Sequence, residues 1–163
     1  MQIGFIGQGF VGKNIADDFE RRGYDAVRYS LEAPYMENKA KIADCEVVFI
    51  AVPTPSTVDG FDVSIVEQSI NLVSKGAIVV VKSTVLPGTS QKLQDAHPDK
   101  VVLFSPEFLC EATAAYDAAN PMLNVIGVSY DSAGHRKAAA TIKDILPQSE
   151  HNFIVSAQAA ELF

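Results

Sequence analysis

Short apolar runs separated by amphipathic stretches set the rhythm of this chain. Residues 2–6, 26–29, 46–52, 77–82, 101–104, 124–128 and 152–155 read as strands. Several are continuous Val/Ile/Phe runs rather than alternating ones, as expected for parallel strands covered on both faces. Helical patterns lie between them, at 11–22, 37–43, 63–74, 89–96 and 132–146. Gly23, Gly76 and Pro147 fall near helix ends, where stop signals belong. Ser64-Ile65-Val66-Glu67 has the spacing of a capping box. Alternating strands and helices imply an α/β fold: an open, doubly wound, mostly parallel sheet in three α/β/α layers.

The first strand-to-helix turn carries chemistry. It reads Gly7-Gln8-Gly9-Phe10-Val11-Gly12, with an apolar strand before it and a helical pattern after it. Gly-x-Gly-x-x-Gly in that setting is the dinucleotide-binding fingerprint and makes the fold Rossmann-like. Gly7 permits the tight turn, Gly9 lets a pyrophosphate approach the backbone, and Gly12 lets helix and strand pack closely. The helix N-terminus then offers free N–H groups and partial positive charge to the phosphates.

Composition narrows the options. At 163 residues the chain is sized for one domain with its own core. A net charge of −7 argues against nucleic acid as a partner, because phosphate binding needs a basic footprint. No apolar run is long enough to span a bilayer, and Met1 leads straight into a charge-free strand rather than a signal peptide. With two cysteines, Cys45 and Cys110, a reducing cytoplasm is the expected setting. Cys110 reads as a small semi-buried residue. His97, His135 and His151 read as surface residues without metal-ligand spacing, so no metal is expected. No Gly-x-Ser-x-Gly elbow supports a hydrolase triad.

In a doubly wound sheet, ligands bind beyond the carboxyl ends of the strands. Three consecutive apolar runs end in Pro53-Thr54-Pro55, in Ser83-Thr84-Val85-Leu86-Pro87-Gly88-Thr89, and in Ser105-Pro106-Glu107-Phe108-Leu109-Cys110-Glu111. Together with the glycine turn and with Asn120-Pro121 before Val125-Ile126-Gly127, these segments resemble the UDP-glucose/GDP-mannose dehydrogenase family. The match is to its N-terminal NAD-binding domain and covers nearly the whole chain. The resemblance implies oxidation of a nucleotide-sugar C6 alcohol to a carboxylate by two hydride transfers, through a thiohemiacetal and a thioester on a cysteine. It implies that Gly7, Gln8, Gly9, Phe10, Val11 and Gly12 cradle the pyrophosphate. Val52, Pro53, Thr54, Pro55 and Ser56, with Ser83, Thr84 and Val85, line the dinucleotide. Thr84 and Glu107 become the catalytic pair that holds the water and moves protons near C6. Glu107, Phe108 and Leu109 meet the sugar nucleotide, and Glu111 lies between cofactor and substrate. A carboxylate suits proton transfer when its pKa nears the working pH, and burial in a crevice raises it.

The chain also departs from the family pattern. Ser30 stands where an acid usually holds the ribose 2′-hydroxyl, with Arg28 nearby and Glu32 the nearest carboxylate. NAD is therefore the expected cofactor, with NADP as the alternative, since a nearby Arg suits a 2′-phosphate. Residues 30–43 are short for the family's second connection, so part of the cofactor-side wall is expected to be missing. Ser105, Ala112 and Met122-Leu123 differ from the usual residues near the sugar.

Residues 1–156 are expected to form the NAD(P)-binding domain, and 157–163 the start of a central helix leading to a second domain. The family's lysine, asparagine and nucleophilic cysteine would lie beyond Phe163, so this chain should bind cofactor without completing turnover. Cys110 does not match the nucleophile's place. The expected partner is a nucleotide sugar such as UDP-glucose. A monomer or weak dimer is expected for this chain, and a homodimer for a full-length parent. Two readings stay open beside this one: a β-hydroxyacid dehydrogenase-type domain, and a non-catalytic nucleotide-binding module.

Overall fold

The computed structural model describes every residue except Asp59. Strand β1 (Gln2–Ile6) leads through the glycine turn into α1 (Phe10–Arg21), then β2 (Asp25–Tyr29). A 3-10 segment over Met36–Asp44 replaces the predicted second helix and precedes β3 (Val47–Ile50). A small hairpin, β4 (Ser56–Thr57) and β5 (Gly60–Phe61), leads to α2 (Ser64–Ile70) and β6 (Ile78–Val81). Then come α3 (Thr89–Ala96), β7 (Val101–Phe104) and α4 (Ala114–Ala119). The chain continues through β8 (Leu123–Val128), α5 (Ala133–Ile145), β9 (His151–Ser156) and α6 (Ala157–Ala160).

The main sheet has the order β2-β1-β3-β6-β7-β8-β9. β2, β1, β3, β6 and β7 are parallel, which places the loops after them along one edge. β8 is antiparallel to β7, and β9 is parallel to β8. The chain leaves β7, makes α4 and enters β8 from the same edge, so β8 must run backwards. The helix α5 then crosses over and keeps β9 parallel to β8.

Continuous apolar strands are covered from both sides. One core gathers Phe5, Phe49 and Val80 under Ile15 and Phe19 of α1 and Ala138 and Ile142 of α5. Phe5 stacks on Phe49 at 5.3 Å and meets Phe19 edge-on at 5.2 Å, geometries that aromatic rings favour. The other core joins Val48, Ile50, Val79 and Val81 to Ile42, to Val66 and Ile70 of α2, and to Leu93 of α3.

Local details differ from expectation. The Ser64–Glu67 capping box does not form; the N-cap of α2 is Val63, and the Ser64 N–H donates to Asp62 Oδ1 at 2.9 Å. That bond stabilises the carboxylate and lowers the Asp62 pKa. α2 ends at Ile70 rather than near 74, because the chain tightens there into i→i+3 bonds from Leu72 to Ser69 and Val73 to Ile70. His135 is buried rather than on the surface, wedged between α5 and α3. Cys110 is exposed and Cys45 buried.

Candidate functional site: a cleft across the sheet edge

The loops after β1, β2, β3, β6 and β7 surround a cleft of about 830 Å³. Its floor begins at the glycine turn. Gly7 has φ +92°, and a Cβ there would lie 2.2 Å from the Ala51 carbonyl oxygen, so only glycine fits. A Cβ on Gly12 would lie 1.9 Å from the Gly7 oxygen, so α1 packs directly on the turn. Gly9 is different: a Cβ there would meet nothing within 4 Å, and the residue lines the cleft. Gly9 is also the N-cap of α1; no side chain among the described residues caps it, and no acidic residue occupies the first turn. The helix therefore presents N–H groups and its positive end to open space. Gln8 Oε1 is buried without a hydrogen-bond partner among the described residues. An open glycine, an uncapped helix start and an orphaned acceptor together fit a bound pyrophosphate and its ribose.

The β2 end forms one wall, with Tyr29, Ser30, Leu31, Glu32, Ala33 and Tyr35. Ser30 Oγ is turned to its own loop, donating to the Glu32 carbonyl at 3.0 Å. Arg28 points away into α1. It is 6% exposed and pairs with Asp17 at 2.6 Å and Glu20 at 2.6 Å. Burial alone would lower its pKa, but the hydrogen bonds and charges of Glu20 and Asp17 outweigh burial and raise it.

The β3 and β6 loops are tied together. Val52 N–H donates to Ser83 Oγ at 3.0 Å, and that hydroxyl donates back to the Val52 carbonyl at 2.7 Å. Thr54 Oγ1 donates to the Thr84 carbonyl at 2.6 Å. Val52, Pro53, Thr54, Ser83, Thr84 and Val85 all line the cleft, with Thr84 exposed to it. Glu107 lies on the same cleft from the β7 end, so Thr84 and Glu107 share one space, as do Gly7–Val11 and Leu109. Pro55, Phe108 and Glu111 are not part of that lining, and Gly12 lies behind the turn. Phe108 and Glu111 are exposed.

Two charged residues of the cleft, Lys82 and Glu161, were given no role from the sequence. Lys82 looks like the last residue of an apolar strand, yet its ammonium reaches Glu107 Oε2 at 3.1 Å. A lone charge closing the Ile78–Val81 run, just before the Ser-Thr loop, was the available signal. Glu161 comes from the other end of the chain. Its carboxylate accepts from Gly88 N–H at 2.5 Å and Ser90 N–H at 2.6 Å, capping α3. It reaches α3 because α6 lies against β8, where Gly127 leaves room for Ala157 and Ala160.

Residues 26–146 match the model of the UDP-glucose/GDP-mannose dehydrogenase family, NAD binding domain. A putative UDP-glucose 6-dehydrogenase of Bacillus subtilis is 35% identical over 139 residues, covering 77% of this chain and 32% of that protein. A UDP-glucose 6-dehydrogenase of Pseudomonas aeruginosa is 37% identical over 125 residues, covering 68% and 27%. The crystal structure of a UDP-glucose dehydrogenase from Pyrobaculum islandicum superposes with a TM-score of 0.84 at 25% identity, covering 99% of this chain and 47% of that one. The chain thus spans about a third of the first of these relatives and about half of the solved one.

Proposed function

Because this chain belongs to the UDP-glucose/GDP-mannose dehydrogenase family as its NAD-binding domain, we propose that it forms the cofactor half of a site oxidising the C6 alcohol of a nucleotide sugar such as UDP-glucose. The observation that carries this reading is the shared cleft: the open Gly9 turn at one end, Thr84 and Glu107 at the other. When bound, NAD supplies the hydride acceptor.

The chain's own residues then divide the work. Gly7, Gln8, Gly9, Phe10, Val11 and Gly12 hold the pyrophosphate against the start of α1. Val52–Pro55 and Ser83–Val85, linked through Ser83 and Thr54, form the wall along the dinucleotide. Thr84 and Glu107 hold water near the reacting carbon, and Glu107 exchanges its proton. Leu109, with Phe108 and Glu111 on the same loop, meets the sugar nucleotide. Proton transfer by a positioned side chain contributes about 10²–10⁴-fold to such reactions.

For the cofactor, NAD is favoured over NADP. Arg28 is committed to Asp17 and Glu20 and is not free for a 2′-phosphate, and Glu32 on the β2-end wall would repel one. The Ser30–Glu32 turn then takes the ribose hydroxyl. We place the domain in the cytoplasm, in keeping with free cysteines and with the absence, among the described residues, of any helix long and apolar enough to cross a membrane. A monomer or weak dimer is proposed for this chain, and a homodimer for a longer parent.

Calorimetric titration of the chain with NAD, NADP and UDP-glucose tests the reading. NAD should bind, NADP should bind at least about tenfold more weakly, and UDP-glucose should gain affinity once NAD is present. No binding of NAD, or tighter binding of NADP, would overturn it.

A further inference from the structure

Lys82 is 7% exposed, and its ammonium has three oxygen neighbours: Ser105 Oγ at 3.1 Å, the Pro106 carbonyl at 3.2 Å and Glu107 Oε2 at 3.1 Å. These are three consecutive residues on the end of the neighbouring strand. A lysine ammonium has three donors, and this arrangement employs all of them. Glu107 is pinned from both sides, because Phe108 N–H donates to its other oxygen at 3.1 Å. A charge taken out of water is kept only with such partners. Lys82 and Glu107 both line the cleft, beside Ser83–Val85.

We propose that Lys82 is a positioning residue that fixes residues 105–107 and balances the charge of Glu107 where the cofactor's nicotinamide ring lies. The proposal rests on the reading above, in which NAD takes a hydride from the carbon next to Thr84 and Glu107, so that its ring must come close to them. The ring is cationic in NAD⁺ and neutral in NADH. A matched Lys82–Glu107 pair presents neither sign strongly, so the site accepts both forms. Removing one partner leaves an uncompensated charge in a partly desolvated cleft. Its sign depends on which partner is lost, so the two losses push the preference between NAD⁺ and NADH in opposite directions. A role in folding alone would weaken both forms equally.

The test uses the whole 163-residue chain. Affinities for NAD⁺ and NADH are measured by calorimetry and NADH fluorescence for wild type, Lys82→Met, Glu107→Gln, the double variant and Lys82→Arg. Lys82→Met should move the NADH/NAD⁺ dissociation-constant ratio towards NAD⁺ by about tenfold, and Glu107→Gln towards NADH by a similar factor. The double variant and Lys82→Arg should return close to the wild-type ratio. If Lys82→Met does not fold, Glu107→Gln and the double variant, which leave no unpaired carboxylate, still decide the matter. A ratio unchanged in Glu107→Gln, or shifted the same way by both single changes, overturns the proposal. Failure of the wild type to bind either form overturns the NAD reading beneath it, a distinct result.

Discussion

Replacing Glu161 with alanine should destabilise the chain through a contact with α3, more than 70 residues away in sequence. Its carboxylate caps α3 through the Gly88 and Ser90 N–H groups, and the side chain is 8% exposed. Losing an N-cap costs about 1 kcal/mol. Leaving a buried donor unpaired adds about 1–3 kcal/mol. A loss of about 2–4 kcal/mol follows for Glu161→Ala, or about 4–16 °C in Tm for a domain of this size. Glu161→Gln keeps the shape and one good acceptor and should lose about half as much. Gly127→Ala should act through the same contact. The added Cβ would sit 2.7 Å from Ala160 Cβ and 2.8 Å from Ala157 Cα, forcing α6 away from β8 and Glu161 away from α3. The double variant should therefore lose less than the sum of the singles. Urea and thermal melts of the five proteins measure this. A Glu161→Ala stability within about 0.5 kcal/mol of wild type would refute the clamp, since that is the range of an ordinary surface change.

Two further outcomes follow from titratable groups. Burial lowers the pKa of His135 from its ordinary 6.5. The folded chain keeps the ring neutral, with Nδ1 2.9 Å from Ser132 Oγ and Nε2 2.9 Å from Gln94 Oε1. The unfolded chain takes up the proton first as pH falls, so the contribution present above about pH 6.5 is lost on acidification towards the lower folded value. Urea melts between pH 7.5 and 5 should show this decline, and His135→Gln should flatten it; an unchanged slope in that variant would exclude His135 as its source. Burial, reinforced by the charges of Asp44 and Asp25, pushes the Cys45 thiol up to about 11. A disulfide reagent at pH 8 should label exposed Cys110 and spare Cys45 until the chain unfolds, because the thiolate is the reactive form. Labelling of both in the native protein, read by mass spectrometry, would contradict that.

The framework was legible because the parallel strands are buried on both faces, which leaves unbroken apolar runs such as Val47–Ile50 and Ile78–Val81. The glycine turn was legible because sterics leave little choice at Gly7 and Gly12. Elements with little burial of their own were not: the two-residue strands β4 and β5, and the six-residue α4, leave no periodic signature. The reversal of β8 depends on which edge the chain re-enters, which hydrophobic patterning does not encode. In the cleft, the loops that carry Thr84 and Glu107 were read from strand-end positions, and the two residues themselves from the family resemblance. Lys82 and Glu161 were not, because their roles arise from partners 23 to 25 and 71 to 73 residues away in the chain. The pairing of Arg28 with Asp17 and Glu20, one helix earlier, was hidden for the same reason.

The central claim is that the turn from Gly7 to Gly12 receives a dinucleotide pyrophosphate. The direct measurement is NAD affinity and unfolding free energy for wild type and Gly9→Ala. Because a Cβ at Gly9 would touch nothing in the protein and Gly9 lines the cleft, stability should change by no more than about 1 kcal/mol while NAD affinity falls at least about tenfold. A Gly9→Ala chain that binds NAD as tightly as wild type would contradict the claim.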